Sequence, residues 1–488
     1  MPLTLSNWPA QKSEHDLEVH RISVHLFIVL ETTMLNYLDI LDRAQTGPYI
    51  SEENWDLEKI AMTTRRLVKK YKLEWNPNEL VTDDAALSEA IWKAGYEMAV
   101  ELGSYSRSTE RIIQLSQDEI DSGIRNMPQE VVMGEGKDAR TLYARHLNDE
   151  RAPLFFGGSP GTPIPEKIFL ANVISYMQEP LIDLATCGTL VEVDGREVRT
   201  GNPIEIVSTR RELQYMRQGL KRVGRAGMGM LAAQSSVSEL GDLAAAHPDY
   251  LRSCDSHLVP MLNELKMDHR NISRAVNSLE YGMVNASLPC VIVGGLGGGP
   301  AGSAVINVAS YLIANITCLA DYHILHPIHV RHVATSTRDV LWVINATGQA
   351  FARHAPSIIV ADIYPKSGAG TKELLYETAA NAIVNAVSGN HLEGCGAADG
   401  NAPNCSGLEA RLMAEVALAS HRMKMSMKEA NDFVLQLLPK YEHVFTQDGN
   451  PGKPFNEVYD TVKIEPLDFW QKMYEEVKTE LKEMGLKL

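Results

Sequence analysis

The chain has 488 residues, 44% of them hydrophobic, with a formal net charge of −16 from 46 Lys and Arg against 62 Asp and Glu. That length and apolar share suit one large barrel with additions. The acidic balance argues against a nucleic-acid binder, which needs a basic face for phosphates.

The N-terminal segment lacks the pattern of a secretory signal. Glu14, Asp16 and Glu18 precede the apolar run Ile22–Leu30, where a signal carries basic residues, and the run is too short to span a bilayer. Residues 1–33 are expected to be an extension, either native or the product of an upstream start codon. Residues 34–150 form a predicted helical region, with apolar residues at helical spacing in Glu58–Tyr71, Asp84–Leu102 and Gln117–Arg125. From Pro153 short apolar strands alternate with helices. The predicted strands are Leu154–Gly157, Met228–Leu231, Cys290–Val293, Ile328–Val333, Ile358–Ile363 and His391–Gly396. Predicted helices cover Ala304–Ala320, Thr337–His354, Lys372–Val387 and Leu408–His421. Thr189–Val198, with Asp194-Gly195 at its centre, reads as a hairpin. Tyr281–Ala320 carries no charge, but its glycine run makes it a buried strand, turn and helix, not a membrane span. Leu467–Leu486 is an amphipathic helix expected to pack on the barrel or on a neighbouring subunit.

The expected fold class is therefore α/β, a (β/α)8 TIM-like barrel over residues 151–488. An N-terminal helical region precedes it and a C-terminal helix ends it. Six or seven strands are visible in the pattern, so a doubly wound open sheet is the alternative. The six cysteines, Cys187, Cys254, Cys290, Cys318, Cys395 and Cys405, form no C-x-x-C pair and fit a reducing, cytoplasmic compartment.

Two motifs carry competing readings. Gly297-Gly298-Gly299-Pro300-Ala301-Gly302 satisfies G-x-G-x-x-G, with Asp321 downstream as the acidic residue of a dinucleotide fingerprint. That residue should end a second strand, whereas Asp321 follows a helix-like run. A tight βα turn, or an anion site of backbone N–H groups at the helix start, are the other readings. In HPIHVRHVA, a strand would put His326 and His332 on one face and His329 and Arg331 on the other. Alternating faces make a poor metal cradle, so no metal ligand is assigned and a zinc site stays an alternative. Cys395, near a strand end, reads as a small buried residue.

Several segments together carry a family resemblance: DLEKIAM (Asp56–Met62), FGGSPGTPI (Phe156–Ile164), GRAGMGM (Gly224–Met230), CDSH (Cys254–His257), LNELKMD (Leu262–Asp268), PIHVR (Pro327–Arg331) and GLEARLMAEVA (Gly407–Ala417). From about Met34 to the C-terminus the chain resembles the archaeal monomethylamine:corrinoid protein methyltransferases. The resemblance implies an α/β-barrel catalytic domain and a homo-oligomer, a hexamer in the family. It also implies a cognate corrinoid protein as partner, which carries the corrinoid and brings its cobalt to the barrel mouth. No membrane or nucleic-acid partner is expected. The departures fall in the site that the resemblance implies. Leu231 stands at the position of the family's pyrrolysine, whose imine captures methylamine. Ala232 and Ala233 replace a glycine and a proline. Leu258 and Ala286 replace glutamates, and Asp362 replaces a glutamine.

Methyl transfer to Co(I) is a displacement at carbon, and methylamine has a poor leaving group. A quaternary ammonium leaves as a neutral tertiary amine and needs no imine. The related trimethylamine methyltransferases include pyrrolysine-free members that demethylate glycine betaine. By that analogy the expected donor is a small methylated compound such as a quaternary amine, not monomethylamine. Leu231, Leu258 and Ala286 would wall the methyl groups. Asp362 would balance the cation and Tyr364 would give a cation–π contact. His329 and Arg331, the further catalytic candidates beside Asp362, would bind a substrate carboxylate. Asp255 and His257, in the matching CDSH segment, are assigned to substrate binding. Three plainer readings stay open: Leu231 and Leu258 filling a dead pocket, Asp362 pairing with Arg331, and His329 with Arg331 packing the barrel interior. The rival functions are a non-catalytic or regulatory relative that binds an amine or the corrinoid protein, and a metal-assisted barrel enzyme recruiting His332, Asp362 or Cys395.

Overall fold

The computed structural model describes residues 37–232, 238–396, 398–400, 402–446 and 450–488. The expected extension 1–33, its apolar run Ile22–Leu30 and position Ala233 lie outside those residues. Eight parallel strands close into a barrel in chain order. They are β1 (Phe155–Gly157), β2 (Leu184–Thr186), β3 (Met230–Ala232), β4 (Ser256–Met261), β5 (Val284–Pro289), β6 (Tyr322–Leu325), β7 (Ile359–Ile363) and β8 (His391–Gly394). A helix follows each: α1 (Glu166–Met177), α2 (Ile204–Arg222), α3 (Glu239–Ala245), α4 (His269–Tyr281), α5 (Pro300–Thr317), α6 (Arg338–His354), α7 (Lys372–Val387) and α8 (Gly407–Arg422). The closed barrel replaces the doubly wound alternative.

Two predicted strands shift. The barrel strands are β5 and β6, while the apolar segments just after them, Ile292–Val293 and Ile328–His329, pair with each other as a two-stranded rim. Pro289 and Pro327 separate strand from rim in each case, because proline cannot donate to a ladder. Strands β2 and β4 carry Thr, Ser and His among their apolar residues, which hides them from an apolar-run reading. The hairpin is observed, with Glu192–Val193 against Arg196–Glu197. Asp194 (φ 48°) and Gly195 (φ 73°) both adopt the left-handed conformation that a two-residue hairpin turn requires. The glycine loop is a turn into α5. Asp321 immediately precedes β6, at the opposite end of the barrel from that loop, and its carboxylate accepts from the Asn285 N–H at 2.8 Å. The dinucleotide reading therefore fails on geometry.

The barrel interior is plugged at its N-terminal end. A hairpin of Glu130–Met133 and Arg140–Tyr143 sends Met133 and Leu142 into the cluster formed by Phe156, Leu184, Leu231, Ala286, Tyr322, Ile324 and Val360. Gly134 N–H donates to Cys254 O and Glu135 N–H to Gly227 O, which stitches this hairpin to the segments entering β4 and β3. Inside, the Tyr322 hydroxyl donates to Ser256 Oγ at 2.9 Å, so neither buried hydroxyl is wasted. Around the barrel, Ala85–Leu102, N-capped by Asp84, packs on α5 and α6. Ser104–Ser106 pairs in parallel with Lys266–Met267. The C-terminal helix Asp468–Glu483 lies on α7, where Glu480 accepts from Lys372, Tyr376 and Lys440. Among the described residues no helix is long and apolar enough to cross a membrane.

Asp255 is a floor residue. It is 0% exposed, and its carboxylate accepts from the Arg252 backbone N–H and guanidinium and from the Met230 N–H at the start of β3. Removing it leaves the buried Met230 amide unpaired and takes from the Arg252 guanidinium its buried counter-charge, with only Glu135 and the Met228 carbonyl left to it. Asp255→Ala is therefore expected to cost about 3 kcal/mol of stability, read as a lowered urea midpoint with an unchanged slope.

Candidate functional site

A cavity of about 90 Å³ lies at the C-terminal end of the barrel, the face on which such barrels assemble their chemistry. One wall is aliphatic: Leu231, Leu258, Leu288 and Ile324, from β3, β4, β5 and β6. The opposite wall is polar: His326 just after β6, Asp362 in β7, Tyr364 just after β7, and Glu393 in β8. Pro160 and Gly161, in the loop after β1, complete the lining. Closed parallel register explains the arrangement. Asp362 and Glu393 are direct partners across β7 and β8, so their side chains leave the sheet on the same face.

The polar wall is held firmly. His326 Nδ1 lies 3.1 Å from Asp362 Oδ2. The His326 ring meets Tyr364 edge-on, with centroids 4.8 Å apart. The Tyr364 hydroxyl donates to Pro160 O, and its backbone N–H donates to Thr335 Oγ1 at 3.0 Å. Two glycines permit the close packing. A Cβ on Gly396 would meet the Tyr364 ring at 2.6 Å, and one on Gly158 would meet Thr186 O at 2.1 Å.

Glu393 is 1% exposed and has no ion pair among the described residues. Its Oε1, and Oδ1 of Asp362, lack hydrogen-bond partners there. Burial, then the Asp362 charge, push the Glu393 carboxyl well above its ordinary range. Burial raises Asp362 too, opposed by the His326 charge. Burial opposes the charged form of His326, but Cys290 and Asp362 outweigh it and hold the imidazole well above its usual range. These directions favour a His326–Asp362 ion pair beside a Glu393 that holds its proton more tightly than an ordinary carboxyl.

Of the residues singled out from sequence, Leu231, Leu258, Asp362 and Tyr364 meet in this cavity. Ala286 lies deeper, in the barrel core. Leu288, two residues on and therefore on the same strand face, takes its place at the lining. Asp255 is on the floor. His257 faces outward, with Nε2 3.6 Å from Asp242 of α3. Burial, with Arg274 nearby, lowers its pKa to about 4. His329 and Arg331 do not share a strand face, because the chain turns at 330–332. His329 Nδ1 accepts from the backbone N–H groups of Arg331 (3.1 Å) and His332 (3.2 Å). Its ring stacks on His332 at 4.4 Å, and Arg331 is exposed. The pair organises a turn and lies outside the lining. Arg331 is also not the partner of Asp362, which is His326. His326 is thus separated from His329 and His332, and among the described residues no group of three or more His, Cys, Asp or Glu is arranged to hold a metal ion. Cys395 is buried in the core, 3.6 Å from Thr378 Oγ1.

Sequence reasoning passed over Glu393, Leu288 and Ile324, and treated His326 only as one of three histidines. For Glu393 a signal exists: a carboxylate near the C-terminal end of a predicted barrel strand, in HLEGCG.

Fold and site define a (β/α)8-barrel enzyme with an acidic, half-aliphatic cavity at its mouth. The family model for monomethylamine methyltransferase MtmB matches residues 35–486, and the chain belongs to that family; it is a methyltransferase. It is 31% identical over 450 residues to the monomethylamine methyltransferase MtmB of Methanosarcina mazei, covering 92% of this chain and 97% of that one. It is 31% identical over 452 residues to MtmB2 of Methanosarcina acetivorans, with the same coverage. Crystal structures of the Methanosarcina barkeri monomethylamine methyltransferase and of a hydroxylamine MtmB complex superpose with a TM-score of 0.90 at 30% identity, covering 93% of this chain and 98% of theirs.

The buried carboxyl also sets a stability profile. A carboxyl raised on folding costs nothing at pH values below the ordinary glutamate value of 4.5. It removes stability as the pH rises from there toward its folded value. Glu393→Gln lifts that cost, so its melting temperature is expected to exceed the parent's by about 2 °C or more at pH 8. The gap should narrow toward pH 5 in paired thermal scans.

Proposed function

We propose that this methyltransferase moves a methyl group from a compact methyl-onium cation, a quaternary ammonium above all, to the Co(I) of a corrinoid carried by a partner protein. Monomethylamine is not its donor. The observation that carries this reading is the Asp362–Glu393 carboxylate pair facing four aliphatic side chains in a cavity of about 90 Å³. A cation taken out of water needs a buried counter-charge, and the carboxylates supply it. Methyl groups, in turn, need an apolar wall. A primary ammonium could donate to the unpartnered oxygens of Asp362 and Glu393, but its amine is a poor leaving group and the cavity offers no electrophile to improve it.

Leu231 stands where the family resemblance places pyrrolysine, and it offers no electrophile. The donor must therefore carry its own leaving group. As the acceptor's electron pair forms the new bond to the methyl carbon, the C–N bond breaks and nitrogen keeps its pair. The product leaves as a neutral tertiary amine with no proton to be supplied. The chain's own residues hold and aim the donor. Asp362, tied to His326, and Glu393 fix the cationic centre against one wall. Tyr364, locked to Pro160, offers its ring to the onium methyl groups. The acceptor approaches through the mouth, since the other barrel end is closed. The corrinoid protein is the expected partner, and its docking rim is expected to be basic to match the −16 charge of this chain. A homo-oligomer, by family likeness a hexamer, is the expected assembly.

The test is transfer to a cognate Co(I) corrinoid protein followed in the cobalt spectrum. Tetramethylammonium is expected to give methyl-cobalt, and monomethylamine is expected to give none. The reading fails if no quaternary ammonium or other methyl-onium compound transfers a methyl group. Asp362→Asn, which leaves His326 buried without its counter-ion, is expected to lower kcat/KM at least tenfold, about 1.4 kcal/mol.

A further inference from the structure

Chemistry at the mouth is unevenly charged, and the imbalance falls on a residue no motif marks. Of the described lining residues only His326 is cationic, and it is already paired with Asp362 at 3.1 Å. Glu393 is left over. It sits in register beside Asp362, is buried, and presents an oxygen with no partner among the described residues. The titratable groups that face it are Asp362 from β7 and His326 from the end of β6. The Thr186 hydroxyl approaches from β2, and Tyr364 closes the mouth side. None of these supplies a free positive charge. The basic pair that could have received a substrate carboxylate, His329 and Arg331, lies in a turn outside the lining.

We infer that Glu393 is the specificity-determining counter-ion of this cavity, which admits donors of net charge +1, rejects zwitterionic ammonium carboxylates, and exchanges a proton for each cation bound. The exchange balances. Empty, Glu393 carries its proton because a second buried negative charge beside Asp362 is costly. When the cation enters, the carboxyl ionises against it, and one proton leaves to solvent. A zwitterion brings its own carboxylate into a wall that already holds two, with no arginine, lysine or free imidazole among the described lining residues to receive it. Acidification consequently weakens cation binding, the opposite of what a neutral apolar pocket would show. The idea deepens the onium-donor reading and depends on it for the identity of the ligand.

Titration calorimetry on the full chain tests it without the methyl acceptor. The probes are tetramethylammonium and trimethylammonioacetate, each in two buffers of different ionisation enthalpy. The expected result is release of close to one proton per tetramethylammonium bound near pH 7, and affinity falling several-fold per unit as the pH drops from about 8 to 6. Binding of the zwitterion should be at least tenfold weaker. Glu393→Gln should lose at least tenfold in tetramethylammonium affinity and release no proton, with its fold checked by circular dichroism. Glu393→Asp, which keeps the charge, should restore proton release. Failure of tetramethylammonium to bind, binding without proton release, equal affinity for the zwitterion, or an unchanged Glu393→Gln variant each overturns the assignment. Proton-linked binding without transfer to Co(I) leaves the assignment standing and removes the methyl-transfer reading instead.

Discussion

A closed parallel register is the constraint from which the site follows. When eight strands pair in order around a barrel, inward side chains are sorted into shared layers. Asp362 and Glu393 are partners across β7 and β8, so two carboxyl groups must share one small volume. Their repulsion, their burial and the single imidazole of His326 then decide the charge state of the mouth. The aliphatic half of the same ring, Leu231 through Ile324, makes the polar half more consequential, because it keeps water from screening it.

Much of this was legible in the chain. Strand–helix alternation after Pro153 points to the barrel, and the apolar spacing over Lys372–Val387 matches the helix at both ends. The family resemblance leads to Leu231, Leu258 and Asp362, and strand parity with Asp362 leads to Tyr364; the fold brings them together from β3, β4 and the end of β7. Other features depend on three-dimensional closure. Two apolar runs follow one another around Pro289 and around Pro327, and only pairing tells barrel strand from rim. His329 and Arg331 have strand-like spacing, yet the chain turns after His329 because its imidazole accepts two backbone N–H groups. Glu393 sits in a strand whose neighbour, β7, precedes it by a whole helix, so its proximity to Asp362 has no local signature.

The relocation of His329 and Arg331 changes the chemistry expected at the mouth. With them, the cavity would carry basic groups suited to a carboxylate-bearing donor. Without them, it is a cup with one spare ionisable carboxyl and an oily back wall. Arginine alone does not define an anion site; what matters is whether its guanidinium faces the cavity, and that of Arg331 faces solvent.

The floor of the barrel comes from outside the barrel. Met133 and Leu142 fill the N-terminal end from a hairpin made before β1 is reached. The (β/α)8 unit is therefore not a self-sufficient module in this chain: cut at residue 151, it would be a tube open at both ends. Water entering from below would wet the underside of Leu231 and Ala286, and the low-dielectric surroundings that give the carboxyl pair its character would be gone. The expected helical region before residue 151 thus contains strands of its own, and the core crosses the boundary that the sequence texture draws.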